Sequence, residues 1–241
     1  MNTVKFEKRN TLAIAHRGVS GIEPENTNFA FVAAGNRSYW GIETDVHVTA
    51  DGNFILTHDS NTNRVSGVDM VVEESAFDDL RALCLLDKDG SDKRIDIRMP
   101  TLEEYVNICK KYEKIAVLEL KEAMTEEAVG KIVDRVEALG YLDKMIFISF
   151  DFNNLVYVRR KKHAQAVQYL IGKTTFTEDA VQRVKEYRFD IDIYYKHLTE
   201  ELIREWHEAG IAINCWTVDD PADAEQLAAW GVDYITTNIL E

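Results

Sequence analysis

Short apolar runs alternate with longer amphipathic stretches along the chain. The runs are "LAIAH" (12–16), "WGIETDV" (40–46), "IAVLEL" (115–120), "MIFISF" (145–150), "AVQYLI" (166–171), "FDIDIY" (189–194), "IAINCWTV" (211–218) and "VDYITT" (232–237). Their length and Val/Ile/Leu content are those of strands buried on both faces of a parallel sheet. Most of the intervals have helical length and an apolar stripe, as in "EEAVGKIVDRVEALG" and "ELIREWHEAG". Thr101 and Glu104, after Pro100, have capping-box spacing, and Asp220 precedes a first-turn proline, Pro221. Gly140 and Gly210 stand where two helices should stop.

Eight strands alternating with helices predict an α/β protein, a (β/α)8 TIM barrel. The rival is an open doubly wound sheet, whose first turn is usually Gly-rich, and no G-x-G-x-x-G follows the first strand here. We read residues 1–241 as a single catalytic domain. Residues 60–98 break the alternation and are too long for a structureless connection. They predict an insertion after the second strand, with a short helix over Phe77–Leu83, lying across the barrel mouth as a partial lid.

A barrel carries its chemistry at the C-terminal ends of its strands, and side chains alternate along each strand. His16 and Arg17 end the first strand, where Gly18 permits a sharp turn. Glu43 and Asp45 share one face of the second strand, and Glu119 and Lys121 one face of the third. Three carboxylates converging from adjacent strands repel one another unless a cation lies between them, and all-oxygen ligation suits Mg2+ or Ca2+ (or Mn2+) rather than zinc. Asp51-Gly52 predicts a hairpin with a two-residue turn, placing Ala50 opposite Asn53 and Asp45 opposite His58. The set then holds two histidines able to exchange protons near neutral pH and two cations able to cradle a phosphoryl group. Together these residues point to metal-assisted cleavage of a phosphate ester.

Charge and composition narrow the partners. A net charge of -14 argues against nucleic acid and against stable association with anionic membranes, while a local Arg/Lys cluster still admits a small anion. Cys84, Cys109 and Cys215 are scattered without metal-site spacing and read as small buried apolar residues in a reducing compartment. The start of the chain has no apolar stretch of signal-peptide length, and the expectation is a cytoplasmic protein, monomer or homodimer.

Other candidates receive plainer readings. His47 shares the face of Asp45 and is expected to be half-exposed. His163, in the basic run "RRKKH", is expected in solvent at a helix end. His197 and His207 have no partner pattern. Trp206 and Trp230 are expected in the core, and Trp40 in packing at the bottom of its strand. Trp216 differs, since it ends a strand where the pocket should lie. Asp190 and Asp192 alternate with apolar residues, which fits either an inward position or salt bridging.

The ordered motifs "HRG", "PENT" with "AF" after it, "ETDV", "T-x-DG", "HD", "PTLEE" and "LELK" resemble the glycerophosphodiester phosphodiesterase family. The likeness is strongest from residue 13 to about residue 121 and continues more loosely through "ISF", "CWTVDDP" and "GVDYITTN". It implies a (β/α)8 barrel with a small insertion, and hydrolysis of a glycerophosphodiester to sn-glycerol 3-phosphate and an alcohol. It further implies that Glu43, Asp45 and Glu119 ligate one divalent ion, and that His16 and His58 form the acid/base pair. Arg17 and Lys121 would contact the phosphate, and Trp216 would line the glycerol end. The chain departs from the family in "SGIE" before "PENT", which could shift Glu25 and Asn26 at the rim, and in ending "TTNILE" without the usual proline. Two other readings are a lysophospholipase D, which would want a greasy rim, and a non-catalytic phosphate-binding barrel, which would be expected to have lost a histidine or a metal carboxylate.

Overall fold

A computed structural model describes residues 2–241. Its strands are β1 (Leu12–Ala15), β2 (Gly41–Val48), β3 (Phe54–Leu56), β4 (Ile115–Leu120), β5 (Met145–Ser149), β6 (Val167–Ile171), β7 (Asp190–Tyr194), β8 (Ile213–Trp216) and β9 (Tyr234–Thr237). The helices are α1 (Asn28–Gly35), α2 (Asn63–Ser66), α3 (Phe77–Ala82), α4 (Leu102–Lys111), α5 (Glu126–Ala138), α6 (Phe152–Lys161), α7 (Glu178–Tyr187), α8 (Glu200–Glu208) and α9 (Pro221–Trp230). All strands but β3 pair in parallel, in the order β1-β9-β8-β7-β6-β5-β4-β2, and a β1–β2 pairing closes the ring. The expected barrel is therefore the observed one. No helix among the described residues is long and apolar enough to cross a membrane.

Strand alternation builds two apolar layers. Inward residues Ile14, Val117, Ile146, Ile148 and Leu170 fill the barrel, and Trp40 stacks on Tyr234 with ring centroids 4.9 Å apart. Outward residues such as Ile42, Leu118, Phe147 and Ile191 join the helix faces in the larger core. This core includes Trp206, while Trp230 packs against it and stays partly exposed. The helix signals act as written. Thr101 and Glu104 exchange both capping-box bonds, and the Asp220 carboxylate accepts from the Ala222 amide at 2.8 Å. Cys109 and Cys215 are buried, whereas Cys84 is only half-buried and places its thiol on the Arg94 carbonyl.

The insertion has a small core of its own, formed by Ile55, Val72, Leu80, Leu85, Ile97 and Met99. It contains the expected short helix, α3. Two contacts tie it to the β1–α1 connection: Arg64 pairs with Glu25 at 2.7 Å, and Lys88 Nζ donates to the Ser20 carbonyl at 2.6 Å.

The hairpin corrects the two-residue turn. Thr49, not Ala50, faces Asn53: its amide donates to the Asn53 carbonyl at 2.9 Å, and the Gly52 amide donates back to the Thr49 carbonyl at 2.8 Å. Gly52, at φ +77°, supplies the left-handed third residue of a three-residue loop. The extra loop residue slips the register by one, so the Asp45 carbonyl accepts from Thr57 rather than lying opposite His58. His58 therefore lies beyond the end of β3. His47 also departs from expectation, being only 1% exposed. The insertion covers the hairpin face that carries it, and its ring nitrogen Nδ1 meets the Glu73 carboxylate.

Gly18 answers the turn after β1. Its φ is +73°, and a Cβ there would lie 2.6 Å from the backbone carbon and Cβ of Ala30 in α1. Gly18→Ala is expected to destabilise the fold by roughly 2–3 kcal/mol, combining left-handed strain with overpacking. A denaturant midpoint equal to that of the wild type would contradict this.

Candidate active site

The inward face of the β2–β4 pair sets the site. Asp45 and Glu119 are register neighbours, Glu43 lies two residues before Asp45, and all three are buried. Each offers an oxygen within 4.8 Å of the others. Lys121 lies over them, its Nζ 2.8 Å from Glu119 and 3.5 Å from Asp45. Arg17 is held in the left-handed region at φ +53°, which aims its amide at Glu43 Oε2 at 2.8 Å. Its guanidinium pairs with Glu25 at 2.9 Å and stands 3.8 Å from Asp45.

Burial and mutual repulsion divide the carboxylates. Burial, reinforced by Asp45 and Glu119, raises Glu43 well above the usual carboxylate range. Burial and Asp45 push Glu119 up to about 8. Asp45 is equally buried, but Lys121 and Arg17 outweigh burial and hold it low, helped by an Asn26 amide bond at 2.8 Å. Asp45 Oδ1 nevertheless remains buried without a hydrogen-bond partner. A compact all-oxygen set, one of whose buried oxygens makes no hydrogen bond and only a 3.5 Å ion pair with Lys121, fits a hard divalent cation.

Both histidines reach the mouth. His16, just past β1, gives its Nδ1 proton to Asn238 Oδ1 at 2.7 Å, because the Asn238 amide nitrogen donates to Asp219 at 2.6 Å. Nε2 of His16 is thereby left as the unprotonated nitrogen. Burial, followed by the adjacent Arg17 charge, lowers His16 to about 4. His58 meets Asp59 through Nδ1 at 2.7 Å, and Arg64 Nε holds the other Asp59 oxygen at 2.6 Å. Burial lowers His58 as well, against the pull of Asp45.

His16, Arg17, Glu43, His58, Glu119 and Trp216 line one cleft of about 160 Å³. Asp45 and Lys121 adjoin it through the contacts above. Trp216 stands edge-on to Phe150 at 5.8 Å, and its indole nitrogen donates to the Asp192 carbonyl. The remaining histidines lie elsewhere: His163 is exposed, His197 bonds the Gly172 carbonyl and His207 meets Asp233.

Other residues around the site were either given no role from the sequence or placed differently by it. Asn26 is buried against Asp45 rather than standing at the rim. Asp59 stood in the "HD" motif and Asn238 in the final "TTN", where a ring nitrogen needing a partner could have drawn notice. Phe150 directly follows the last residue of β5, near the level at which Trp216 ends β8, so the same strand-end argument reaches it. Arg64, within the irregular insertion, carried no signal. Asp192 proves to be the inward aspartate, 2% exposed and lining the cleft.

Comparison with known proteins agrees with this geometry. A glycerophosphodiester phosphodiesterase from Caldanaerobacter subterraneus is 28% identical over 234 residues, covering 95% of this chain and 94% of the relative. A solved glycerophosphodiester phosphodiesterase from Parabacteroides distasonis superposes with a TM-score of 0.78 at 29% identity, over 96% of this chain and 94% of its own. An Oleispira antarctica phosphodiesterase, solved in complex with the product sn-glycerol-3-phosphate, shares the fold with a TM-score of 0.82 at 22% identity, over 94% of this chain and 92% of its own. The model of the glycerophosphoryl diester phosphodiesterase family matches residues 16–241, and the chain belongs to that family.

Proposed function

We propose that this protein hydrolyses glycerophosphodiesters to sn-glycerol 3-phosphate and an alcohol, with Glu43, Asp45 and Glu119 holding one divalent ion, Mg2+ or Ca2+. The observation that carries this reading is the convergence of three buried carboxylates, two histidines and two cations on one cleft in a member of this family. The three unpaired cysteines favour a reducing, cytoplasmic setting.

The residues divide the work by environment. Arg17 and Lys121 bind the phosphate oxygens and offset charge as it builds in the transition state. A bound divalent ion would add Lewis-acid polarisation of the phosphoryl group. His16, neutral with Nε2 unprotonated, takes the proton of the attacking hydroxyl, which belongs either to water or to the 2-position of glycerol; in the second route the cyclic phosphate formed is opened by water in a later step to give sn-glycerol 3-phosphate. His58 gives a proton to the leaving oxygen; burial disfavours the imidazolium this requires, and the carboxylates of Asp45 and Asp59 offset part of that cost. Asp59, fixed by Arg64, is a positioning residue.

Four outcomes follow. Chelation with EDTA should abolish glycerol 3-phosphate release, and Mg2+ or Ca2+ should restore it; release that survives exhaustive chelation contradicts the reading. In the metal-free protein Glu119 holds its proton up to about pH 8, so ion binding must expel that proton. Ion affinity should therefore climb as pH rises towards 8, with proton release visible by calorimetry in buffers of different ionisation enthalpy. Glu119→Gln should weaken affinity about tenfold or more and flatten that slope. His58→Ala should lower kcat by roughly 10²–10⁴-fold with an unchanged melting temperature. Retention of most turnover in that variant would remove His58 from the acid/base pair.

A further inference from the structure

Asp192 is a buried carboxylate that the chemistry above does not use. It lies on β7, which in the ring of eight strands stands diametrically across from β2 and its Glu43 and Asp45. The group able to hold a metal contains Glu43, Asp45 and Glu119 but not Asp192. Its Oδ1 is buried without a hydrogen-bond partner, although its side chain lines the cleft. The neighbouring cleft residues Ile148, Leu170 and Trp216 offer its carboxyl no bond, since the Trp216 indole is spent on the Asp192 backbone carbonyl. Polar atoms buried in this way are expensive unless a partner arrives.

That partner must come from the ligand. The phosphate is not that partner, because the cations proposed to bind it stand on the opposite wall. The part of the substrate that reaches across is its alcohol, whose donors are hydroxyls. A quaternary ammonium group has no hydrogen to offer Oδ1. We propose, building on the diesterase reading, that Asp192 is a specificity-determining residue that bonds the terminal hydroxyl of the glycerol moiety, the one farthest from phosphorus. The aromatic edges of Phe150 and Trp216 then flank the carbon chain, while Asp192 fixes which polyol is admitted.

The test compares two diesters with the same head group, one carrying glycerol and the other its 1-deoxy analogue, which keeps the 2-hydroxyl. The wild type should favour the glycerol diester in kcat/KM by 10-fold or more. Asp192→Leu and Asp192→Ala should bring the ratio to within about twofold, because a site without the acceptor no longer reads the hydroxyl. Removing a partnerless buried acid should leave the melting temperature of the leucine variant unchanged or raised. A purely structural role would instead slow both diesters equally and preserve the ratio, overturning the proposal. A discrimination that follows an ethanolamine against a propanol head group, rather than the glycerol hydroxyl, would overturn it as well. A wild type cleaving both diesters equally overturns the role of Asp192 and leaves the diesterase reading standing; one that cleaves neither overturns both.

Discussion

The site depends on the repulsion among three carboxylates that the backbone does not allow to separate. Asp45 and Glu119 are locked side by side by the β2–β4 ladder, and Glu43 lies on the same face. With oxygens within 4.8 Å, each charged pair opposes folding by about 3 kcal/mol or more at an effective dielectric of about 20. Every other feature of the site answers that load. Lys121 and Arg17 bring positive charge, Asn26 and the Arg17 amide bring hydrogen bonds, and Glu43 and Glu119 keep protons well above their usual range. A divalent ion relieves all three repulsions at once.

The architecture and the three clustered carboxylates were legible because they follow strand alternation. Period two placed Glu43 with Asp45 and Glu119 with Lys121, and the end of each apolar run located the mouth. The hairpin was misread at a single residue. Asp51-Gly52 does mark the turn, but the left-handed glycine serves a three-residue loop, and local sequence does not separate that from the two-residue form. His47 was misplaced because its burial comes from the insertion, a segment without periodicity. The partners that orient the two histidines were hidden for different reasons: Asn238 meets His16 only once the barrel has closed, whereas Asp59 and Arg64 are near His58 in the chain but Arg64 lies in the irregular insertion.

Backbone strain is also found at this place. Arg17 and Asn26 both adopt left-handed conformations, and the Asn26 amide donates to the Arg17 carbonyl at 3.0 Å. Arginine visits that region at a cost of about 1–2 kcal/mol. What the strain obtains is direction: the Arg17 amide points at one carboxylate while its side chain faces two others. The crowding of Gly18 against Ala30 leaves the turn little room to relax.

The one-residue slip in the hairpin divides the site between two kinds of support. The carboxylates ride on the barrel ladder, whereas His58 lies past the last rung and owes its place to a side-chain chain running through Asp59, Arg64 and Glu25 to Arg17. On the proposed reading, the ion ligands and the proton donor thus rest on separate supports. A change within residues 60–98 would then reach His58 through Arg64 and Asp59 while leaving intact the ladder that aligns the carboxylates.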